Sequence, residues 1–178
     1  MINRPAYITS PIGIDKPIQK LQKHLLSKVS WLTTGANPYN FGRVYRNETK
    51  DGIVPEVYDS NNEYINILPD DNVNGMCFFD VPNDIELVNR SANTSINIVF
   101  FINLEKSFPN VANRADENAI NDIIQNCERY GFELQSVIKG TKVFDAFNYS
   151  RKYLDDMQPY FIFAIECDLN YEYNVTGC

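Results

Sequence analysis

The last strand-like run, residues 160–173, constrains the fold more than any other stretch because it alternates over its whole length. One set of alternate positions is apolar: Phe161, Phe163, Ile165, Cys167, Leu169, Tyr171 and Tyr173. Successive side chains leave opposite sides of a pleated strand, so this period of two predicts a β-strand with a buried face. At ~3.3 Å per residue the run spans about 45 Å, roughly twice the common strand length. We expect it to extend past its own sheet.

The opposite face of this run changes in character along the strand. Its positions are Tyr160, Ile162, Ala164, Glu166, Asp168, Asn170 and Glu172. The first three are apolar and need cover, whereas the carboxylates that follow are stable only in contact with water or a partner. We therefore expect the first half of the strand to be covered on both sides and the second half to be open on one side.

A second strong strand is predicted at 95–104, whose buried face is Ile96, Ile98, Phe100, Ile102 and Leu104. Because both runs alternate, they are predicted to form the centre of one mainly antiparallel sheet. Runs at 41–47 and 53–58 predict a hairpin around Asp51-Gly52, with an edge or a bulge at Pro55, which cannot donate a ladder bond. Further strands are predicted at 64–68, 76–81 and 132–138. The polar stretch 82–93 is interpreted as a connector.

The first helix is predicted to begin at Asp15, as a capping residue, with Pro17 in its first turn, and to end near Gly35. Its apolar stripe is Ile18, Leu21, Leu25, Val29 and Leu32. Its polar side is basic and carries Lys16, Lys20, Lys23 and Lys28. This basic side is either a solvated helix face or a surface that meets an acidic partner, another copy of the chain or DNA. His24 lies among the lysines and is interpreted as a surface residue.

Two later helices are predicted. The first is capped by Asp116, ends before Gly131 and buries Ala119, Ile120, Ile123, Ile124 and Cys127. The apolar positions of 143–157 suggest the second, which ends before Pro159. The predicted fold class is α+β: a mainly antiparallel sheet with a hairpin extension, packed by an N-terminal helix and one or two later helices. The predicted division is an arm at 1–14, a single domain at 15–173 and a tail at 174–178.

Composition argues against several functions. The net charge of −7 disfavours tight binding to phosphate backbones, although an acidic surface suits a passage through which DNA slides. The same charge also serves solubility alone. Three of the four cysteines lie among apolar residues and are interpreted as core positions. No apolar run is long enough to span a membrane, and the chain is expected to be a soluble protein made in a reducing cytoplasm.

No catalytic signature is present in the sequence. Phosphate-cradling and dinucleotide-binding glycine loops and the nucleophile elbow are all missing, and His24 is the only histidine. The carboxylates Asp70 and Asp71 lack the spacing of a calcium loop. We therefore expect no enzyme, no cofactor and no metal. Aromatic residues lie next to basic ones at 43–46 and 149–153, which suits either stacking on single-stranded nucleic acid or packing in a core or an interface.

The order of elements runs helix, hairpin, further strands, strong central strand, helix pair and closing long strand. With this order, its size and residues 157–171 (MQPYFIFAIECDLNY), the chain resembles the tail-terminator and neck-ring proteins of tailed bacteriophages over about residues 15–173. Its asparagine- and tyrosine-rich composition is similar to that of virion proteins from phages of gut Bacteroidetes.

The resemblance implies a virion structural protein that forms a ring of six or twelve copies in the phage neck or tail. The ring would surround the DNA channel, contact portal, neck and tail proteins, and assemble in the host cytoplasm. The expected interface residues are Lys16, Lys20, Lys23, Lys28, Glu166, Asp168 and Glu172. The arm at 1–14 is either a frayed terminus or a segment that docks on a neighbour. A small acidic phage-encoded inhibitor that mimics DNA, as a monomer or dimer, is the alternative.

Overall fold

The computed structural model describes residues 7–33, 39–50, 52–59, 63–67, 72–81, 84–111, 115–145, 147 and 160–173. Its helices are α1 (Asp15–Lys28), α2 (Ser30–Thr33), α3 (Leu104–Ser107) and α4 (Ala115–Cys127), with a 3₁₀ turn at Gly140–Phe144. Its strands are β1 (Tyr39–Arg43), β2 (Tyr45–Thr49), β3 (Gly52–Asp59), β4 (Glu63–Asn66), β5 (Gly75–Asp80), β6 (Glu86–Val88), β7 (Ser91–Asn103), β8 (Phe132–Lys139) and β9 (Tyr160–Glu172). The architecture is α+β with mainly antiparallel strands, as the sequence predicts.

The main sheet is built around the antiparallel pair of β7 and β9. The two strands are 13 residues each and pair along their whole length, from Ser91 opposite Glu172 to Asn103 opposite Tyr160. The strand order is β1-β5-β7-β9-β8, with β6 beside the start of β7. β1 runs parallel to β5, and the other pairs are antiparallel. The prediction that the two alternating runs form the sheet centre is confirmed. The expectation that the last strand extends past its sheet is wrong, because β7 is as long and pairs with all of β9.

One face of the main sheet is covered by helices. Side chains of α1, α2 and α4 pack there against the apolar face of β7 and β9, which includes Ile98, Phe100, Phe163 and Ile165. Phe100 and Phe163 stack with ring centroids 4.9 Å apart. The core between the helices and this face holds most of the buried hydrophobic side chains among the described residues.

The opposite face of the sheet is covered over only half of its length. A second sheet, of order β2-β3-β4, and the 3₁₀ turn pack there against Val99, Phe101, Ile162 and Ala164. Beyond Ala164, Glu166 is half-buried and Asp168 is exposed. The prediction of a strand with one half covered on both sides and the other half open on one side is confirmed.

The predicted connector at 82–93 is wrong, because it contains the short strand β6 and the first residues of β7. Glu86, Leu87 and Val88 pair with the start of β7, and Asn89 adopts φ +59° in the turn between the strands. Asparagine tolerates this left-handed conformation better than most residues. We name residues 85–93 the projecting hairpin. The side chains of Ile85, Leu87 and Val88 are exposed, so the buried alternation that marks a strand is missing in β6.

The predicted strand at 41–47 is divided at Val44 between the two sheets. The Val44 N–H donates to the carbonyl oxygen of Phe79 at 2.9 Å, after which β2 leaves for the second sheet. The edge or bulge predicted at Pro55 is also wrong, because β3 is the central strand of that sheet. The ladder with β4 ends at the pair Glu56 and Asn66, and just beyond it the Ile67 N–H donates to the Pro55 carbonyl at 3.1 Å. Pro55, which has no N–H to return a bond, therefore lies at the end of this ladder.

The first helix is close to its prediction but is interrupted. The predicted apolar stripe is buried, yet Val29 is extended (φ −97°, ψ 103°) and separates α1 from α2. Asp15 does not cap α1, because Ile14 occupies that position without a side-chain cap bond, and Asp15 instead binds Arg43. Asp15 thus does not cap the helix but forms an ion pair that links α1 to β1.

A buried polar cluster fastens α1 to the edge of the main sheet. The Gln22 Nε2 donates to the Asn40 carbonyl at 2.7 Å, and the Asn40 Nδ2 donates to the Gln22 carbonyl at 3.0 Å. The Cys77 Sγ donates to the Asn40 Oδ1 at 2.9 Å. These buried amide groups are satisfied by one another, as burial of polar groups requires.

The first of the two later predicted helices is α4, which ends at Cys127, before Gly131 as predicted, and needs two corrections. Asp116 lies inside its first turn and not at the cap. Ile124 is 42% exposed, whereas the rest of the predicted stripe is buried. Gly131 has φ +91°, and a Cβ there would press on the Asn170 carbonyl oxygen. Of the helix predicted at 143–157, residues 143–145 and 147 are described, and 146 and 148–157 lie outside the described residues.

An ion pair fastens the second sheet to the main sheet. The Arg46 Nε and Nη2 donate to the two carboxylate oxygens of Asp80 at 2.9 and 2.7 Å. Asp80 is 1% exposed, and the Arg46 guanidinium lies 5.3 Å from the centre of the Phe147 ring. Two parallel hydrogen bonds make this a strong, directional contact between β2 and β5.

We expect Arg46→Met to lower the free energy of unfolding by about 3 kcal/mol, because it leaves a buried carboxylate without a partner. The matched control is Arg43→Met, whose more exposed pair with Asp15 is expected to contribute about 1 kcal/mol or less. Urea denaturation followed by circular dichroism measures both. Equal losses in the two variants would show that the Arg46–Asp80 pair does not fasten the sheets.

Candidate functional site

The described residues do not assemble a metal-binding cluster. No group of three or more His, Cys, Asp or Glu side chains converges there in a way that could hold a metal ion. His24 is half-buried and not the surface residue that the sequence predicts; its ring packs edge-on to Tyr130 at 6.0 Å. Burial lowers the pKa of His24, so the imidazole is neutral at pH 7.

The three described cysteines are core residues, as predicted. Cys77, Cys127 and Cys167 are fully buried, and Cys178 lies outside the described residues. Burial raises the pKa of each of the three thiols, that of Cys167 to about 12, because a thiolate is poorly solvated in the core. The thiols are therefore protonated and poor nucleophiles.

The arginines of the 43–46 run are engaged in ion pairs. Arg43 donates from Nε and Nη2 to the Asp15 carboxylate at 2.8 and 3.1 Å, and Arg46 is bound to Asp80. A guanidinium already paired with a carboxylate is a weak ligand for phosphate. The geometry thus favours packing over the stacking of nucleic acid for this run; the 149–153 run lies outside the described residues.

Lys16, Lys20, Lys23 and Lys28 are all exposed on α1, and we call them the basic face. Lys16 and Lys20 line a groove of about 450 Å³ together with Glu172. Lys23 lies over the ring of Tyr7, 4.8 Å from its centre. The structure therefore brings Glu172 close to two of the predicted interface lysines within one chain, which the sequence does not reveal.

Glu166 and Asp168 lie on the opposite side of the main sheet from α1. We define the acidic face as Asp84, Glu86, Glu133, Glu166 and Asp168. All but Glu166 line one groove of about 490 Å³. The Ser136 Oγ donates to Glu166 at 2.8 Å, and the Ser95 Oγ donates to Asp168 at 3.1 Å. Because neighbouring residues of β9 (Ile165 and Cys167) face the helix layer, strand alternation directs these carboxylates away from it.

A cleft between the N-terminal arm and the second sheet is missed by the sequence analysis. Its volume is about 550 Å³, and we name it the tyrosine cleft after four partly exposed lining residues, Tyr7, Tyr45, Tyr58 and Tyr64. The Tyr64 ring lies edge-on to those of Tyr45 and Tyr58, at 5.1 and 5.5 Å. The arm reaches it through Ile8, whose N–H donates to the Gln19 Oε1 at 2.6 Å. The predicted strands at 53–58 and 64–68 follow each other closely. A hairpin between them would pair Tyr58 with Tyr64, as observed, and this could have indicated part of the cleft.

The projecting hairpin is the second surface missed from the sequence. Leu87 is 65% exposed and Val88 47% exposed, and Ile85 beside them is also exposed. These apolar side chains lie at the end of the sheet where Leu87 faces Ala92 across the ladder. Clustered exposed apolar side chains of this kind mark interaction surfaces more often than a scattered single residue does.

No protein family, curated protein or solved structure that was compared with the chain matches it. None of the described helices is long and apolar enough to cross a bilayer. The resemblance to phage neck proteins, with the ring and the virion location that it implies, stays a prediction.

We expect Cys77, Cys127 and Cys167 to resist alkylation by iodoacetamide in the native protein at pH 8 and to react fully in guanidinium chloride, because their thiols are buried and protonated. Intact-mass spectrometry of a Cys178→Ser variant counts the modified thiols. Rapid labelling of any of the three under native conditions would contradict this packing.

Proposed function

We propose that this chain is a non-catalytic structural subunit that associates front to back into a closed ring. The observation that carries the proposal is the charge on the two sides of the main sheet. The basic face lies on the helix side of the main sheet. The acidic face lies on the opposite side, on the half of the sheet that the second sheet does not cover. Each copy thus has a basic patch on α1 and an acidic patch on the opposite side of the main sheet.

This distribution of charge favours one kind of symmetry. In a twofold dimer a patch meets its own copy, so either face would meet like charge near the twofold axis. In a front-to-back contact the carboxylates around Asp168 meet the lysines around Lys20 of the next copy. Complementary charges fix the orientation of such a contact and accelerate association. A front-to-back contact that closes gives a ring.

The biological setting that we propose is the neck or tail of a tailed bacteriophage. The support is the order of elements and the α+β fold, which agrees with what the resemblance implies. A net charge of −7 also suits a ring around DNA, because it weakens contacts with phosphates and lets the duplex pass. The partners would be other copies of the chain and the neighbouring portal, neck and tail proteins.

A second candidate function is supported by the acidic face itself. Asp84, Glu86, Glu133 and Asp168 line a continuous groove, and such carboxylates imitate a row of phosphates. A monomer or dimer of this kind would bind the DNA site of a basic partner protein. The first candidate function requires self-association into a ring, whereas the second requires only a monomer or dimer.

Two charge-reversed variants test the ring. We expect Lys16→Glu/Lys20→Glu/Lys23→Glu, whose faces are both acidic, and Glu86→Lys/Glu133→Lys/Asp168→Lys, whose faces are both basic, each to be monomeric by multi-angle light scattering at low ionic strength. Mixed together, the two variants should co-assemble, because each face then meets the opposite charge. The control Lys50→Glu/Lys106→Glu/Lys142→Glu changes the net charge as much as the first variant does and should assemble like the unmodified chain.

A mixture that stays monomeric while the unmodified chain assembles would reject the front-to-back contact. An unmodified chain that remains a monomer or dimer at every concentration tested would reject the ring and favour the acidic binding protein.

A further inference from the structure

We infer that His24 makes the attachment between α1 and the turn after α4 sensitive to acid: the neutral ring packs the two together, and the protonated ring separates them. We call residues 128–131 the α4 turn. This inference goes beyond the proposed function and does not rest on it, because the contact lies within one chain.

His24 lies where α1 meets the end of α4. Its ring packs edge-on to the ring of Tyr130, with centroids 6.0 Å apart and planes at 76°. The His24 Nε2 is buried, and no hydrogen-bond partner for this atom is present among the described residues. A buried nitrogen without a partner is tolerated far better on a neutral ring than on a charged one, because a charge loses more solvation on burial. The packing therefore selects the neutral imidazole.

The α4 turn has an unusual backbone conformation. Tyr130 has φ +58°, and Gly131 after it has φ +91°. A positive φ is uncommon for a bulky residue and persists only where the surrounding structure fixes it. The Arg129 N–H donates to the Cys127 carbonyl at 2.7 Å, and the Phe132 N–H donates to the Arg129 carbonyl at 3.0 Å. The packing of His24 against Tyr130 supports the same conformation from the side of α1.

The charged neighbours of His24 oppose its protonation. Burial is the largest cause that lowers the pKa of His24, and the cations Arg129, from the α4 turn, and Lys28, from α1 itself, lower it further. The side chain of Asn126 acts in the opposite direction and offsets part of this effect. Asn126 is a neutral amide on α4, and its Nδ2 donates to the Asp122 carbonyl at 2.7 Å. The contact thus places two positive charges near a ring that becomes positive in acid.

The sign of the pH dependence follows from the lowered pKa. Because the ordinary value is 6.5, the packed ring binds fewer protons than a ring in water. The stabilisation from this contact is complete above pH 6.5 and is lost as the pH falls through the lower value of the folded chain. Separation of the α4 turn from α1 returns the charged ring to water and increases its distance from Arg129. Acid therefore favours the separated state.

The α4 turn also borders the basic face. Tyr130 and Gly131 line the same groove as Lys16 and Lys20. Separation of the turn would change one wall of this groove and leave the lysines in place on α1. Acid would therefore alter the surface beside the basic face through a movement of the neighbouring turn.

Nuclear magnetic resonance with isotope-labelled histidine tests the protonation step. His24 is the only histidine of the chain, so its ring signal is assigned without ambiguity. We expect the titration midpoint to lie below 6.5 in the unmodified chain and to rise in Arg129→Gln. Lys142→Gln is the control, because this exposed cation belongs to the 3₁₀ turn on the other face of the sheet and should leave the midpoint unchanged.

Hydrogen exchange measured by mass spectrometry follows the α4 turn itself. After correction for the intrinsic rates, we expect the peptide that contains the turn and Phe132 to lose protection between about pH 8 and about pH 5. His24→Phe keeps an aromatic ring against Tyr130 but cannot be protonated, so it should show no such loss from this contact. His24→Gln is a second variant that cannot be protonated there, and circular dichroism checks that both variants are folded.

Two results would overturn the inference. The first is a titration midpoint of His24 at or above 6.5, or one that is the same in Arg129→Gln. The second is an equal loss of protection in the unmodified chain and in the folded His24 variants, because the effect of acid would then arise elsewhere. Neither measurement requires that the chain form a ring, so the test is separate from that of the proposed function.

Discussion

The antiparallel ladder between β7 and β9 is the interaction on which the rest of the structure depends. Two strands of 13 residues pair without a break, and β5 and β8 are added on either side. Long non-local pairing is expensive in chain entropy, so it persists only where side chains on the faces bury enough apolar surface. The stacked rings of Phe100 and Phe163 lie at the middle of that burial.

The distribution of surface charge follows from how this ladder is covered. Helices cover one face, whereas the second sheet, fastened by Arg46 and Asp80, covers only the end of the other face that contains Ala164. Where that cover stops, β9 changes from apolar side chains to Glu166 and Asp168. The open half-sheet is therefore acidic, and α1 presents four lysines on the outer side of the helix layer. A charge difference across one sheet is the physical basis of the proposed front-to-back assembly.

Much of this fold could be predicted from the sequence, because its signals are periodic and its burial is strong. The alternation of β7 and β9, the stripe of α1 and the change at Ala164 are local patterns that the structure confirms. β6 could not be predicted, because Leu87 and Val88 are exposed and their pattern is that of a loop. The division at Val44 and the position of Pro55 in a central strand depend on which sheet each neighbouring strand joins. No local sequence pattern indicates which sheet that is.

The candidate surfaces were less predictable than the fold. The basic and acidic residues are visible in the sequence, but the proximity of Glu172 to Lys16 and Lys20 arises only when β9 packs beside α1. The tyrosine cleft joins residues from the arm, β2, β3 and β4, which lie far apart in the chain. In the sequence, the tyrosines of the cleft look the same as aromatic residues of a buried core. Only their exposure in the structure distinguishes the two.

Native mass spectrometry of the purified chain at low ionic strength tests the central claim most directly. Front-to-back association with closure predicts one dominant species of defined copy number, six or twelve, in equilibrium with monomer. A population that contains only monomers and dimers at high concentration, or an open-ended series of oligomers without a preferred size, would contradict the account.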